Sequence, residues 1–366
     1  MEGKTKGYLF TISSLAVVII IFGYLNVAQE VQNAPGDLQD CNVINYNPES
    51  DFNIVFVGSL EESNKYAKHL FQTPPHVHYK SSINIFNVPR EPGYELYKGI
   101  AVLANKETIK LAAACPNPDV VVALVKEGRE IRASTLGNRI TLNDAIPQLS
   151  VWSHEMGHYY GLQEEYIADS KSAAKNKDPN CKKDPAEFDI YDEMLQGCTN
   201  PNLYRSVDGV MKTLSSDYYG KFNEREIISK IEEEIKNGAE ITGRAIDISN
   251  ECADQKFILL DVNENKIEVY PGCRIDNAKS AADQFKYQLF QDGQIIVDNS
   301  LSTALYTDNQ EHGQETISGE TYDATDRLLI TLPYPPQGDT IRILDSVGNI
   351  ISESSLQEAG ALTCAV

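Results

Sequence analysis

The chain has 366 residues, of which 53 are acidic and 32 basic, for a formal charge of −21. That balance excludes the basic footprint needed to hold phosphates, and with it nucleic acid or an anionic lipid surface as the main partner. Hydrophobic residues at 42% and charged residues at 23% are ordinary for a globular protein, and the length allows about two domains.

The first elements concern export. Residues 1–7 carry Lys4 and Lys6, and from Tyr8 to Ala28 the chain has no charge. That stretch has the length of about 20 residues that a spanning helix needs. Glu30, Asp37 and Asp40 follow it, so the positive-inside rule keeps the tail in the cytoplasm and exports the remainder. A cleaved signal peptide would make the protein secreted instead, but its apolar region is usually about 7–15 residues, shorter than the run Leu9–Leu25. A retained anchor at 8–28 is the expectation, with pilin-like processing near "KTKGYLF" as a further alternative. Residues 29–50, polar and holding Pro35, Gly36 and Pro48, read as a linker.

From residue 51 to about 239, strand and helix patterns alternate. "NIVFVGSL" (53–60) is a buried-strand run, "LEESNKYAKHLFQ" (60–72) has helical spacing, and "SINIFNVP" (82–89) alternates as a strand. "KETIKLAAAC" (106–115) predicts a helix, and "DVVVALVK" (119–126) a central strand. "EIRASTL" (130–136) and "RITLND" (139–144) predict two more strands. A helix starts near Leu149. An acidic segment (167–205) follows, then a turn at Asp208-Gly209 and an amphipathic helix closed by Gly238. From 240 to 366 short strands separated by turn residues, among them "KFILLD", "FKYQLFQ" and "TIRILD", predict a β-sandwich. The expected fold is therefore an α/β (α+β) catalytic domain at 51–239, an all-β sandwich at 240–366, and an N-terminal transmembrane helix.

Seven cysteines agree with an oxidising compartment. No CxxC pair marks a zinc knuckle, and bridging is the reading that fits. Cys41–Cys115, Cys181–Cys198 and Cys252–Cys273 are the candidate disulfides, which leaves Cys364 unpaired.

The chemistry lies in "HEMGHYYGLQEEY" (154–166). His154 and His158 stand four apart, just over one helical turn, and so share a helix face. Catalytic zinc uses three protein ligands and keeps one position for water, so two imidazoles plus a carboxylate suit Zn2+. Glu155, on the adjacent face, can act as general base toward that water. Gly161 permits a sharp helix exit that returns Glu164 as third ligand. H-E-x-x-H-x-x-G-x-x-E is the metzincin layout with Glu164 in place of a third His. Met211, in "DGVMK" after the Asp-Gly turn, stands where a Met-turn is expected. Thr213 occupies the place where some metzincins carry a transition-state Tyr, leaving Tyr166, Tyr218 and Tyr219 as candidates for that role.

The two stretches "HEMGHYYGLQEEY" and "YRSVDGVMK" (204–212) together resemble the IgA-peptidase-type zinc metallopeptidases, a metzincin-like family. The chain departs from that pattern in having one residue fewer between the second His and the Gly, and Glu-Glu where the family has Asp-Glu. The resemblance implies a metzincin-like catalytic domain with Glu164 at the ligand position and Glu165 beside it. Two weaker patterns are read as ordinary structure. His76 and His78 beside a Pro pair predict a surface turn, and "DVNENK" (261–266) predicts a hairpin turn and not a calcium loop.

The expected function is a membrane-anchored, extracytoplasmic zinc endopeptidase acting on a protein or peptide substrate. The alternative is a non-catalytic zinc-containing surface protein with a binding or adhesion role.

Overall fold

A computed structural model describes residues 41–145, 148–163, 165, 180–181, 206, 209–216, 218–242, 252, 255–277, 285–309 and 318–356. The expected tail (1–7), the anchor (8–28) and the linker up to residue 40 lie outside the described residues, as do Cys198 and Cys364. Among the described residues no helix is long and apolar enough to cross a membrane.

Strands come first because the sequence supplies β-branched runs too short for helices. β1 (Asn42–Asn45) ends the stretch read as a linker, β2 is Asn53–Val57, and helix α1 is Leu60–Leu70. Acidic Glu61 and Glu62 in its first turn and basic Lys68 and His69 in its last complement the helix dipole. β3 (Asn84–Val88), β4 (Tyr94–Tyr97), β5 (Ala101–Ala104) and α2 (Lys106–Ala112) follow. The Asn105 side chain caps α2 by accepting from the Glu107 amide at 2.9 Å. Then come β6 (Val120–Val125), β7 (Ser134–Leu136), β8 (Arg139–Asn143), and α3 (Leu149–Tyr159), which carries the two histidines. α4 (Lys221–Thr242) runs on past Gly238, where the sequence predicts a stop. A glycine inside a helix costs only about 1 kcal/mol, which neighbouring turns can carry.

The second half is all strand: β9 (Lys256–Asp261), β10 (Lys266–Pro271), β11 (Phe285–Gln291), β12 (Gln294–Leu301), β13 (Ala304–Asn309), β14 (Ser318–Asp323), β15 (Leu329–Pro333), β16 (Thr340–Leu344) and β17 (Ile350–Ser355). "DVNENK" forms the turn between β9 and β10, as expected.

The main sheet has eight strands in the order β1-β3-β2-β6-β8-β7-β13-β14. β3, β2, β6 and β8 run parallel. Their residues are buried without alternation, as strands covered on both faces must be. β7 turns back antiparallel on β8, and β13 pairs antiparallel with β7. One face packs α1 and α3 through Phe56, Tyr66, Trp152 and Met156. The other packs α2 and β9 through Val55, Ile109, Val121, Phe257 and Leu259. The alternate residues of β9, Ile258 and Leu260, face a third core between the sheets β10-β9-β15 and β12-β11-β16-β17.

The expected α/β class is corrected by this architecture. Seventeen strands stand against four α-helices among the described residues, so the fold is predominantly β. The physical reason is that only four strands are parallel and need crossovers, while β1, β7, β13 and β14 enlarge the sheet by antiparallel pairing, which needs no helix. The expected transmembrane helix has no counterpart among the described residues.

Two candidate disulfides are present, Cys41–Cys115 and Cys252–Cys273. Cys181 is also disulfide-bonded, to a partner outside the described residues.

Candidate metal centre

Helix α3 ends where the sequence places its stop. Gly161 has φ +90°, which is strained for any residue with a Cβ. Its amide donates to the His158 carbonyl at 2.9 Å, and the Leu162 amide donates to the Gly157 carbonyl at 2.9 Å. These are the two bonds of a Schellman cap. The cap has a chemical consequence, because it brings the Leu162 carbonyl to 2.9 Å from His158 Nδ1. The second orienting carbonyl comes from the Met-turn: Val210 O lies 2.7 Å from His154 Nδ1. A carbonyl can only accept, so each Nδ1 carries a hydrogen, and Nε2 is the nitrogen left to present a lone pair to a metal.

Those two Nε2 atoms converge at 3.1 Å, with the rings nearly perpendicular. Two lone pairs at that distance repel unless a cation stands between them. Two nitrogens each about 2.0–2.1 Å from a tetrahedral zinc would stand about 3.3 Å apart. The donor set therefore fits a metal ion, with carbonyl-oriented imidazoles of the kind metal sites use. Both rings are buried.

The expected third ligand, Glu164, lies outside the described residues. Among the described residues no group of three His, Cys, Asp or Glu is placed to hold a metal. Tyr166 also lies outside the described residues, and the carboxylate of Glu165 is engaged away from the imidazoles. Glu165 is buried, and its Oε1 accepts from Asn180 Nδ2 at 2.7 Å and Asn223 Nδ2 at 2.8 Å. Its amide donates to the Met211 carbonyl at 3.1 Å, tying the chain after the cap to the Met-turn. Tyr204 and Arg205 lie outside the described residues.

Met211 is fully buried, directly below α3. A Cβ on Gly157 would come closer than 3.0 Å to its Sδ, so the glycine in "HEMGH" is what lets the Met-turn approach the helix. Tyr219 is buried and donates from its hydroxyl to the Ser153 carbonyl at 2.5 Å, a packing role; Tyr218 is exposed.

Glu155 is fully buried on the face of α3 that meets β7. The Thr135 hydroxyl of β7 donates to its Oε2 and lies 3.2 Å from its backbone carbonyl. One strand further out, Tyr306 of β13 lies parallel to the His158 ring, with centroids 4.0 Å apart. Behind the helix, His69 Nε2 lies 3.0 Å from Ser153 Oγ, and His76 Nε2 lies 3.1 Å from the Tyr160 hydroxyl. His76 is thus no surface residue, in contrast to exposed His78. Burial pushes its pKa down to about 3 and keeps it neutral. Thr135, Asn180, Asn223 and Tyr306 have no motif signal, since each reaches the site through the fold.

The chain matches no family model and no curated protein.

Proposed function

We propose that the chain is a zinc-dependent endopeptidase of the metzincin type, akin to the IgA-peptidase-type family, exported and held at the membrane by residues 8–28. The observation that carries this reading is the convergence of His154 and His158 Nε2 at 3.1 Å with both Nδ1 atoms held by carbonyls. The approach of Met211 to Gly157 supports it. His154, His158 and Glu164 would hold the ion. Zinc, when bound, supplies Lewis-acid polarisation of a carbonyl and makes water acidic near neutrality. Glu155 takes a proton from the attacking water and delivers it to the leaving amine. The Thr135 hydroxyl keeps that carboxylate oriented. The substrate is a protein or peptide.

A test is metal analysis of the purified chain together with an unbiased peptide-library digest. About one zinc per chain is expected, and Glu155→Ala should abolish cleavage while sparing the metal. Metal-free, folded protein would overturn the proposal. The full burial of His154 and Glu155 favours a second reading, a zinc-containing surface protein without turnover. Cleavage that disappears in Glu155→Ala would exclude it.

A further inference from the structure

An endopeptidase must admit an extended chain to its metal, yet here the path along β7 is taken. β7 is the strand that carries the Thr135 contact to Glu155, and its outer side is paired with β13 in the register Leu305–Leu136, Tyr306–Thr135, Thr307–Ser134. Tyr306 therefore sits across from the residue that holds Glu155 and also covers the His158 ring. His158, under the Tyr306 ring, is buried in this arrangement. Among the described residues, β13 therefore occupies the strand edge beside Glu155 and His158.

The closing element is built as a unit. β13 and β14 pair over six positions, while β13 meets β7 over three. The Ala324 amide donates to the Thr303 carbonyl at 2.9 Å and closes the base of the hairpin. Among the described residues its apolar attachment includes a small cluster, in which Leu305 and Ala324 meet Tyr97, Leu103 and Leu136. Further anchors are Tyr306 on the His158 ring, Tyr322 at 5.5 Å from the Tyr97 ring, and Lys98 Nζ at 4.2 Å from the Tyr322 ring. The ladder within the hairpin is twice as long as its ladder to β7, so local opening can release the hairpin whole while the parallel strands stay folded.

We infer that the β13–β14 hairpin is an intramolecular strap that occupies the β7 edge and holds the enzyme latent until it is displaced. This rests on the peptidase reading above. An extended peptide segment then takes the place of β13, since a freed strand edge offers the same backbone donors and acceptors to any extended chain.

Two variants and one exchange measurement test it on the full chain. Leu305→Ala removes the largest apolar anchor, and cleavage of a fluorogenic peptide library should rise severalfold at unchanged zinc content. The pair Ser134→Cys with Thr307→Cys locks the strap, because directly opposed antiparallel residues lie within disulfide reach, about 4.5–5.5 Å between Cα atoms. Cleavage should be lost in the oxidised protein and return on mild reduction, with wild type reduced in parallel as control for its native bridges. Undiminished cleavage by the locked protein, or no gain in Leu305→Ala, overturns the strap while leaving the peptidase reading intact. If no protein cleaves, the peptidase reading fails, and amide hydrogen exchange still decides the strap. β13 and β14 should then exchange together, ahead of β2 and β6. Equal protection of all four strands overturns it.

Discussion

Gly157→Ala probes the joint between helix and Met-turn. Two effects oppose each other. Alanine is favoured over glycine inside a helix by about 0.8–1.0 kcal/mol. Against that, the added Cβ falls closer than 3.0 Å to Met211 Sδ and 3.3 Å from Tyr219 Cε1, both on fully buried side chains. Overpacking of a filled core costs about 1–3 kcal/mol, so the net loss should be about 0–2 kcal/mol. Function should suffer more than stability. Where the Met211 backbone yields, it carries the adjacent Val210, whose carbonyl holds His154 Nδ1 at 2.7 Å. Loss of such an orienting contact commonly weakens metal binding by about 10–100-fold. Zinc affinity by chelator competition, alongside guanidinium denaturation, measures both. The double variant with Met211→Ala supplies the decisive comparison, since removing the thioether vacates the space the new Cβ needs. The two substitutions should therefore couple, with Gly157→Ala less harmful in the Met211→Ala background. A Gly157→Ala protein that gains the full helix propensity and binds zinc as wild type would refute the reasoning.

Other outcomes follow from single contacts. Glu164→Gln should lose zinc, whereas Glu165→Gln should retain more of it but melt earlier, because Glu165 holds Asn180 and Asn223; zinc titration and thermal denaturation of both variants check this. Thr135→Val, which keeps the side-chain shape and removes the donor to Glu155, should lower kcat at unchanged zinc content. His76, neutral in the fold down to about pH 3 and with an ordinary value of 6.5, binds a proton in the unfolded chain first. Its contribution is thus complete above pH 6.5 and is lost as pH falls from there toward 3, at up to about 1.4 kcal/mol per pH unit. His76→Gln, which keeps an acceptor for Tyr160, should flatten that slope in denaturation curves taken across the window. Replacing Cys41 and Cys115 together by Ser opens a loop with a sequence separation of 74 and should cost about 4 kcal/mol in a denaturant titration.

Local patterns determine what they can reach by themselves. The runs of Val, Ile and Phe specify β2, β3 and β6 because a strand buried on both faces needs nothing but apolar side chains. The spacing of His154 and His158 puts both imidazoles on one helical face, and Gly161 ends that helix with a cap whose bonds all lie within a few residues. Cys41–Cys115 and Cys252–Cys273 match two of the three candidate bridges, a pairing that spacing alone leaves open. What only the tertiary structure decides is partnership. Periodicity shows that residues 304–309 form a strand, but carries no information on which edge they join, so the extension of the first sheet by β13 and β14 is invisible in it. The same holds for Glu155, whose partner Thr135 sits on another element, and for Glu165, gathered in by Asn180 and Asn223. Burial also overrode local character at His76, which a Pro-rich setting marks as surface and the packing of Tyr160 encloses. Ligand spacing is a short-range property of one helix, while the closure of the site over it depends on contacts between segments far apart in the chain.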